Sequence, residues 1–439
     1  MSALSHESAR NPQLLRAIGR WSMVALAINC TLGSGIFGLP SVVAGLLGAA
    51  SPAAVLLAGA GMGVIIACYA EVGSQFSETG GTYLYLRHAF GRLIGLQVGW
   101  MTLLARLTAC AAGVNLLVAY LGEFWGAATQ LLPRLLIITA FLGALAAVNY
   151  RGVGAGTLMS NASLVAKLLA LGAVCVVGVA YLGVHGMVAP PPLERHAGNW
   201  LSAMLLLLFA YGGFEAALNP MGEAKNPRQD VAFALFAALL TLTVLYSILQ
   251  LVVVAVLPAP ASSQRPLADA ARVLMGPPGA ALISVGALIS VYGYMSAMML
   301  TVPRSMFALA ERGDFPAVFG AVHARWRTPH VSIVAFAVLV WIFAFFASFS
   351  WNVTLSAIAR ILYYAGVCAA VPVLRSKQPQ APAFRLPGGL ALPALGVGLC
   401  AALLSGVDFS KSIIVLVTVA VALANWALVR RGQLRIAPR

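Results

Sequence analysis

The chain has 439 residues, 61% hydrophobic and 9% charged, with a mean hydropathy of +0.92 and a formal net charge of +15. So apolar a composition excludes an ordinary soluble domain. The basic excess therefore reads as the positive-inside bias of a membrane protein, not as a nucleic-acid-binding surface.

The first 20 residues are polar, carry Arg10, Arg16 and Arg20, and lead into an apolar stretch too long for the core of a cleavable signal. A bilayer needs about 20 apolar residues per helix. Stretches of that kind fall near 21–48, 53–76, 91–122, 133–150, 156–183, 199–220, 230–257, 278–309, 330–348, 352–373, 390–405 and 411–429. With the N-terminus inside, the outer segments hold only Arg134, Arg195, Arg265, Arg272 and Lys411. Arg106, Lys167 and Arg360 lie within spans, and the remaining Lys and Arg are all cytoplasmic. That bias predicts an even number of spans, with both termini in the cytoplasm of a cell (inner or plasma) membrane protein.

Two of the stretches are broken. The first reads Thr31-Leu-Gly33-Ser34-Gly35; the second reads Phe209-Ala210-Tyr211-Gly212-Gly213-Phe214-Glu215, followed by Asn219-Pro220. Glycine and proline weaken a helix, and in lipid the freed backbone is tolerated only where it lines a cavity. Glycine-interrupted spans at corresponding positions of two halves point to the binding site of an inverted-repeat transporter. The expected organisation is a cytoplasmic segment 1–20, a first repeat 21–183, a second repeat 199–373, two added spans in 390–429 and a cytoplasmic tail 430–439. Five spans per half is odd, so the halves have opposite orientation.

Further motifs stand in order. Y-A-E-V-G-S-Q-F-S-E-T-G-G-T-Y-L-Y covers 69–85, A-F-G-R-L-I-G-L-Q-V-G-W covers 89–100, G-E-A-K-N-P-R covers 222–228, and P-R-S-M-F-A-L-A-E-R-G-D-F-P covers 303–316. With T-L-G-S-G-I-F-G-L-P (31–40) and F-A-Y-G-G-F-E, they make the chain resemble the amino acid–polyamine–organocation (APC) superfamily over nearly its whole length. The resemblance implies an all-α, twelve-span fold with a LeuT-type five-plus-five inverted repeat and discontinuous first and sixth helices. It also implies transport of amino acids or related amines.

A bound amino acid needs donors for its carboxylate, and a broken half-helix offers unpaired N–H groups at its positive end. Gly33-Ser34-Gly35 opens such a half-helix. Acceptors for the ammonium are expected from unwound carbonyls around Ala27–Cys30 and Phe209–Gly212. The resemblance carries substrate binding to Thr31, Gly33, Ser34, Gly35, Phe209, Ala210 and Gly212, with Phe209 also a gate over the substrate. Small-residue helix packing is the bland alternative.

Glu215, an acid deep in a span, is a candidate proton carrier or, alternatively, half of a structural ion pair. Lys167, in mid-span, occupies the region where sodium-coupled members of the fold hold their ion and proton-coupled members can carry a lysine. A buried lysine can load and release a proton as a cavity opens and closes; otherwise it is a permanent charge on the loosened carbonyls of the first span. Arg106 and Arg360 are expected to contact a carboxylate or to pair with Glu71 or Glu123. Glu71, Glu78, Glu223, Lys225, Arg87 and Arg312 read as an inner gate network or a solvated face.

The small residues Ala109–Gly113 and the mixed Tyr292–Ser296 favour a neutral or hydrophobic amino acid. Glu215 is the argument for an exchanger of cationic amino acids or polyamines. The six cysteines, Cys30, Cys68, Cys110, Cys175, Cys368 and Cys400, sit in apolar stretches without a CxxC, so metal and disulfide chemistry are not expected. No cofactor is implied. A membrane enzyme would need clustered acids, histidines or a nucleophile motif, and a channel would need repeated polar rings; neither pattern is present. A membrane amino-acid sensor that binds without transporting is the surviving rival. The reading is a secondary active amino acid transporter, proton-coupled and working by alternating access in a lipid bilayer.

Overall fold

The computed structural model describes residues 18–76, 80–151, 156–186, 197–219, 221, 224–377, 384–407 and 409–436. Among them the regular structure is helical, apart from a parallel bridge pairing Ile18 with Ala224. In an apolar surrounding every backbone group must be bonded within the chain, and long Leu-, Ala- and Val-rich segments meet that demand as helices.

The first apolar stretch is two half-helices, α1 (Arg20–Thr31) and α2 (Gly35–Leu47), and the second is α3 (Ser51–Gly73). A short helix not foreseen from hydropathy, α4 (Gly81–Phe90), leads into α5 (Arg92–Leu121), α6 (Leu131–Arg151) and α7 (Gly156–His185). Next, α8 (Ala197–Tyr211) stops at the second glycine pair and resumes as a 3₁₀ turn, Phe214–Leu218. The chain continues through α9 (Pro227–Val256), α10 (Pro266–Glu311), α11 (His330–Phe346), α12 (Phe349–Lys377), α13 (Ala391–Ser405) and α14 (Phe409–Ile436). Proline opens α9 and α10, where its missing N–H has no helical partner to lose. Within α10 the chain turns at Gly276 (φ 70°), just before Pro277-Pro278, so the stretch expected at 278–309 is the longer arm of a bent helix.

Among the described residues, eight helical stretches are long and apolar enough to cross a membrane; His330–Phe346, Ala391–Ser405 and Ile413–Ala427 are shorter apolar helices. One of the eight, Gly35–Gly73, joins α2 to α3. Burial separates core from rim. The apolar window of α5 is 78% buried, against 17% in α6 and 33% in α7, so α5 runs through the centre while α6 and α7 turn apolar flanks outward. Around α5 pack α10, α11 and α12, while α3 packs on α9 and α12, and α2 on α8. This arrangement brings the two broken segments against one another.

Candidate site at two helix breaks

The first break is shorter than expected. Residues Ala27–Cys30 remain inside α1, and the unwound stretch is Leu32–Ser34. The Ala27 carbonyl, expected to be free, accepts the Thr31 hydroxyl (2.8 Å), and Ile28 O accepts the Leu32 amide (2.8 Å). Ser34 then caps α2 without a side-chain bond to its amides, leaving a positive helix end uncapped by the chain's own hydroxyl. Thr31 and Ser34 are both buried.

Lys167 reaches this break from α7. Its Nζ donates to Asn29 Oδ1 (2.8 Å) and to Leu32 O (3.0 Å), and the side chain is buried. The ammonium thus sits on a carbonyl that the end of α1 leaves without a helical donor.

The second break lies directly against the first. Gly213 has φ 118°, a conformation that L side chains rarely adopt, and a Cβ there would collide with the Cys30 carbonyl. A Cβ on Gly35 would lie 2.9 Å from Ala210 Cα and 3.4 Å from the Phe209 ring. Bare backbone at both positions is what lets the two segments touch. The expected acceptors at Phe209 and Ala210 are engaged: Phe209 O takes the Gly212 amide (3.1 Å) and Ala210 O takes the Tyr246 hydroxyl (3.3 Å). The Phe209 ring is buried, with the Arg360 guanidinium 5.8 Å from its centroid.

Glu215 is enclosed by donors. Oε1 accepts Arg360 Nη1 (2.9 Å) and Tyr363 Oη (2.9 Å); Oε2 accepts the Gly213 amide (2.8 Å) and Tyr364 Oη (3.1 Å). The pairing of Arg360 with Glu71 or Glu123 is therefore corrected. Glu71 holds Arg375 through both oxygens (2.6 and 2.7 Å), and Glu123 pairs with Arg265 and Arg272. In both cases the nearer basic group belongs to a neighbouring helix end. Arg106 pairs with neither acid.

The small residues Ala109–Ala112 of α5 are buried, and Tyr294 of α10 stands 4.0 Å from the position a Gly33 Cβ would take. At the end where α1 begins, polar contacts join the helices. Arg20 pairs with Asp230 (2.9 Å), the Lys225 amide donates to Ile18 O (2.9 Å), and buried Asp314 takes Tyr83 Oη (2.5 Å) and Arg92 Nε (2.7 Å). Arg87 donates to Tyr83 Oη (2.7 Å), and the Arg312 carbonyl accepts from Arg92. Glu78 and Glu223 lie outside the described residues. At the opposite end a cavity of about 450 Å³ opens among Gly38, Ser41, Asn115, Arg134, Gln264 and Phe349.

Sequence reasoning missed Asn29, Asp314, Tyr363, Tyr364 and Arg375. A signal existed for the tyrosines, because Arg360, Tyr363 and Tyr364 are spaced i, i+3, i+4 and share a helix face.

A helical chain with this many stretches able to cross a bilayer, two of them interrupted and in contact, is a polytopic membrane protein. A family model described as amino acid permease matches residues 18–427. The chain is similar to a methylthioribose transporter of Bacillus subtilis (strain 168), 28% identical over 91% of this chain and 90% of that one. From the same organism it is similar to a branched-chain amino acid permease (25%, covering 96% and 95%) and a serine/threonine exchanger (30%, covering 73% and 74%). The chain belongs to the amino acid permease family of the APC superfamily, and is a transporter.

Proposed function

We propose that this protein is a secondary active transporter of neutral or hydrophobic amino acids, working by alternating access around the two breaks, with protons as the coupling ion. The fold in this reading is a twelve-span, five-plus-five inverted repeat with two added helices and both termini cytoplasmic. The contact of the breaks supports it most. The uncapped start of α2 lies beside Phe209 and Ala210, where a carboxylate would meet backbone donors. Thr31, Gly33, Ser34, Gly35, Phe209, Ala210 and Gly212 are the proposed substrate contacts, and Phe209 the proposed gate.

Lys167 is the proposed coupling group. Its ammonium is held by two neutral acceptors, so deprotonation would weaken these two bonds without stranding a counter-charge. Glu215 stands as the fixed partner of Arg360 in this scheme. Relatives named as a branched-chain amino acid permease and a serine/threonine exchanger support amino acid substrates. The exchanger makes obligatory exchange the second reading.

Uptake of a radiolabelled amino acid panel into proteoliposomes, with and without an inward proton gradient, tests both. The expected outcome is gradient-driven accumulation that Lys167→Ala abolishes while substrate binding persists. Accumulation only against preloaded amino acid would establish exchange. Binding without flux would mean a sensor.

A further inference from the structure

Four charged groups surround the breaks. Lys167, Arg106, Arg360 and Glu215 all act on the Cys30 or Tyr294 side chains there, so three cations face one carboxylate. Two of the cations are accounted for: Lys167 by Asn29 and Leu32 O, Arg360 by Glu215. Among the described residues, Arg106 has neither an ion-pair nor a hydrogen-bond partner.

The position of Arg106 follows from α5. Arg106, Cys110 and Gly113 recur at i, i+4 and i+7, one face of the helix. That face meets α10, because a Cβ on Gly113 would lie 3.8 Å from Val291, one turn before Tyr294, the residue that stands over Gly33. On the other flank, the carbonyl of Ala105 takes the hydroxyl of Ser356 (2.7 Å), one turn before Arg360 on α12. Arg106 thereby lies on the stretch of α5 that runs between α10 and α12, the helices that carry Tyr294 and Arg360.

Arg106 is half-buried in mid-helix, and its guanidinium is answered by no acid among the described residues, which leaves its donors available to a ligand. Its planar fork of donors matches a carboxylate in two-point geometry. We propose that Arg106 is a substrate-carboxylate contact, and that it makes the site admit carboxylate-bearing substrates and reject amines that lack one. The inference rests on the transport reading above and narrows it. Polyamines and amino acid amides would add positive charge beside Arg106, Lys167 and Arg360, and Glu215 is already saturated by four donors.

Ligand binding by purified wild-type, Arg106→Gln and Arg106→Lys protein tests this, with leucine, alanine, glutamate, leucinamide and putrescine as probes. Wild type is expected to bind leucine well and leucinamide and putrescine weakly. Arg106→Gln should weaken carboxylate substrates by about tenfold or more, as expected for losing a hydrogen bond to a charged group, and leave leucinamide unchanged. Arg106→Lys, which keeps charge without the fork, should fall between. A loss shared by leucine, alanine and glutamate identifies the α-carboxylate as the partner; a loss confined to glutamate identifies a side-chain carboxylate. The melting temperature of each ligand-free variant separates misfolding from lost recognition. The proposal is overturned if Arg106→Gln binds the carboxylate probes as wild type does, or weakens leucine and leucinamide alike. If wild type binds no amino acid at all, the transport reading falls with it, a result distinct from either.

Discussion

At the first break a helix ends and leaves a carbonyl without a donor, and a cation, Lys167, takes it; at the second the bare group is the Gly213 amide, and an anion, Glu215, takes that. Each sign suits its backbone, since a helix C-terminus attracts positive charge and free N–H groups attract negative charge. The braces differ in how firmly they are held. Lys167 makes its two bonds to neutral oxygens, both of them on the first broken segment. Glu215 accepts four, three of them from Arg360, Tyr363 and Tyr364 on α12. The second break is therefore welded to α12, whereas among the described contacts the first is held to α7 through the Lys167 ammonium. The asymmetry fits the alternating access proposed above, in which one half-helix moves against a fixed partner.

The largest effect should come from removing the anion. Glu215→Ala strands the Arg360 guanidinium in the core, and breaking a buried pair this way costs about 3–5 kcal/mol. A marked fall in melting temperature in detergent is the expected result. Replacing both partners, as Glu215→Leu with Arg360→Met, should recover most of the loss, because a well-packed apolar pair is often neutral against a buried ion pair. A double variant no more stable than Glu215→Ala would mean that the tyrosines, not the charge pair, hold the break.

Tyr363→Phe probes that same network one bond at a time. A hydrogen bond to a charged group contributes about 1.5–3 kcal/mol, and three donors remain on the carboxylate. The variant should melt below wild type but well above Glu215→Ala. Equal losses would show that the four donors act as one unit.

Much of this was legible beforehand. Glycine interruptions near residues 33 and 212 stand out in any apolar stretch, and the all-helical membrane class follows from hydropathy, although α4 and the bend of α10 at Gly276 did not. The exact extent of the unwinding did not show, because Thr31 continues α1 by turning its hydroxyl back to Ala27. Nor did the reason for Gly213, since the Cys30 carbonyl that excludes a side chain comes from the other broken segment. Partners were the least readable part. Arg360 lies 145 positions from Glu215, and in one dimension Glu71 and Glu123 look equally available. Asp314 stood in a quoted motif but was passed over, because an acid just beyond a helix end reads as solvated; the fold buries it between α4, α5 and the end of α10.

The smallest expected effect on stability bears hardest on the contrast between the breaks. Lys167→Met would remove the donor from the Leu32 carbonyl, a cost of about 1–3 kcal/mol for a buried unsatisfied group. The same change removes the desolvation cost of burying an ammonium, which offsets part of it. The net loss should be about 1 kcal/mol, below that of Tyr363→Phe, and should be measured as the melting temperature of the detergent-purified protein. A loss rivalling that of Glu215→Ala would make Lys167 a fixed brace like its counterpart, and the two breaks would no longer differ in kind. A small loss, together with intact substrate binding, is what the proposed proton-coupling role of Lys167 requires.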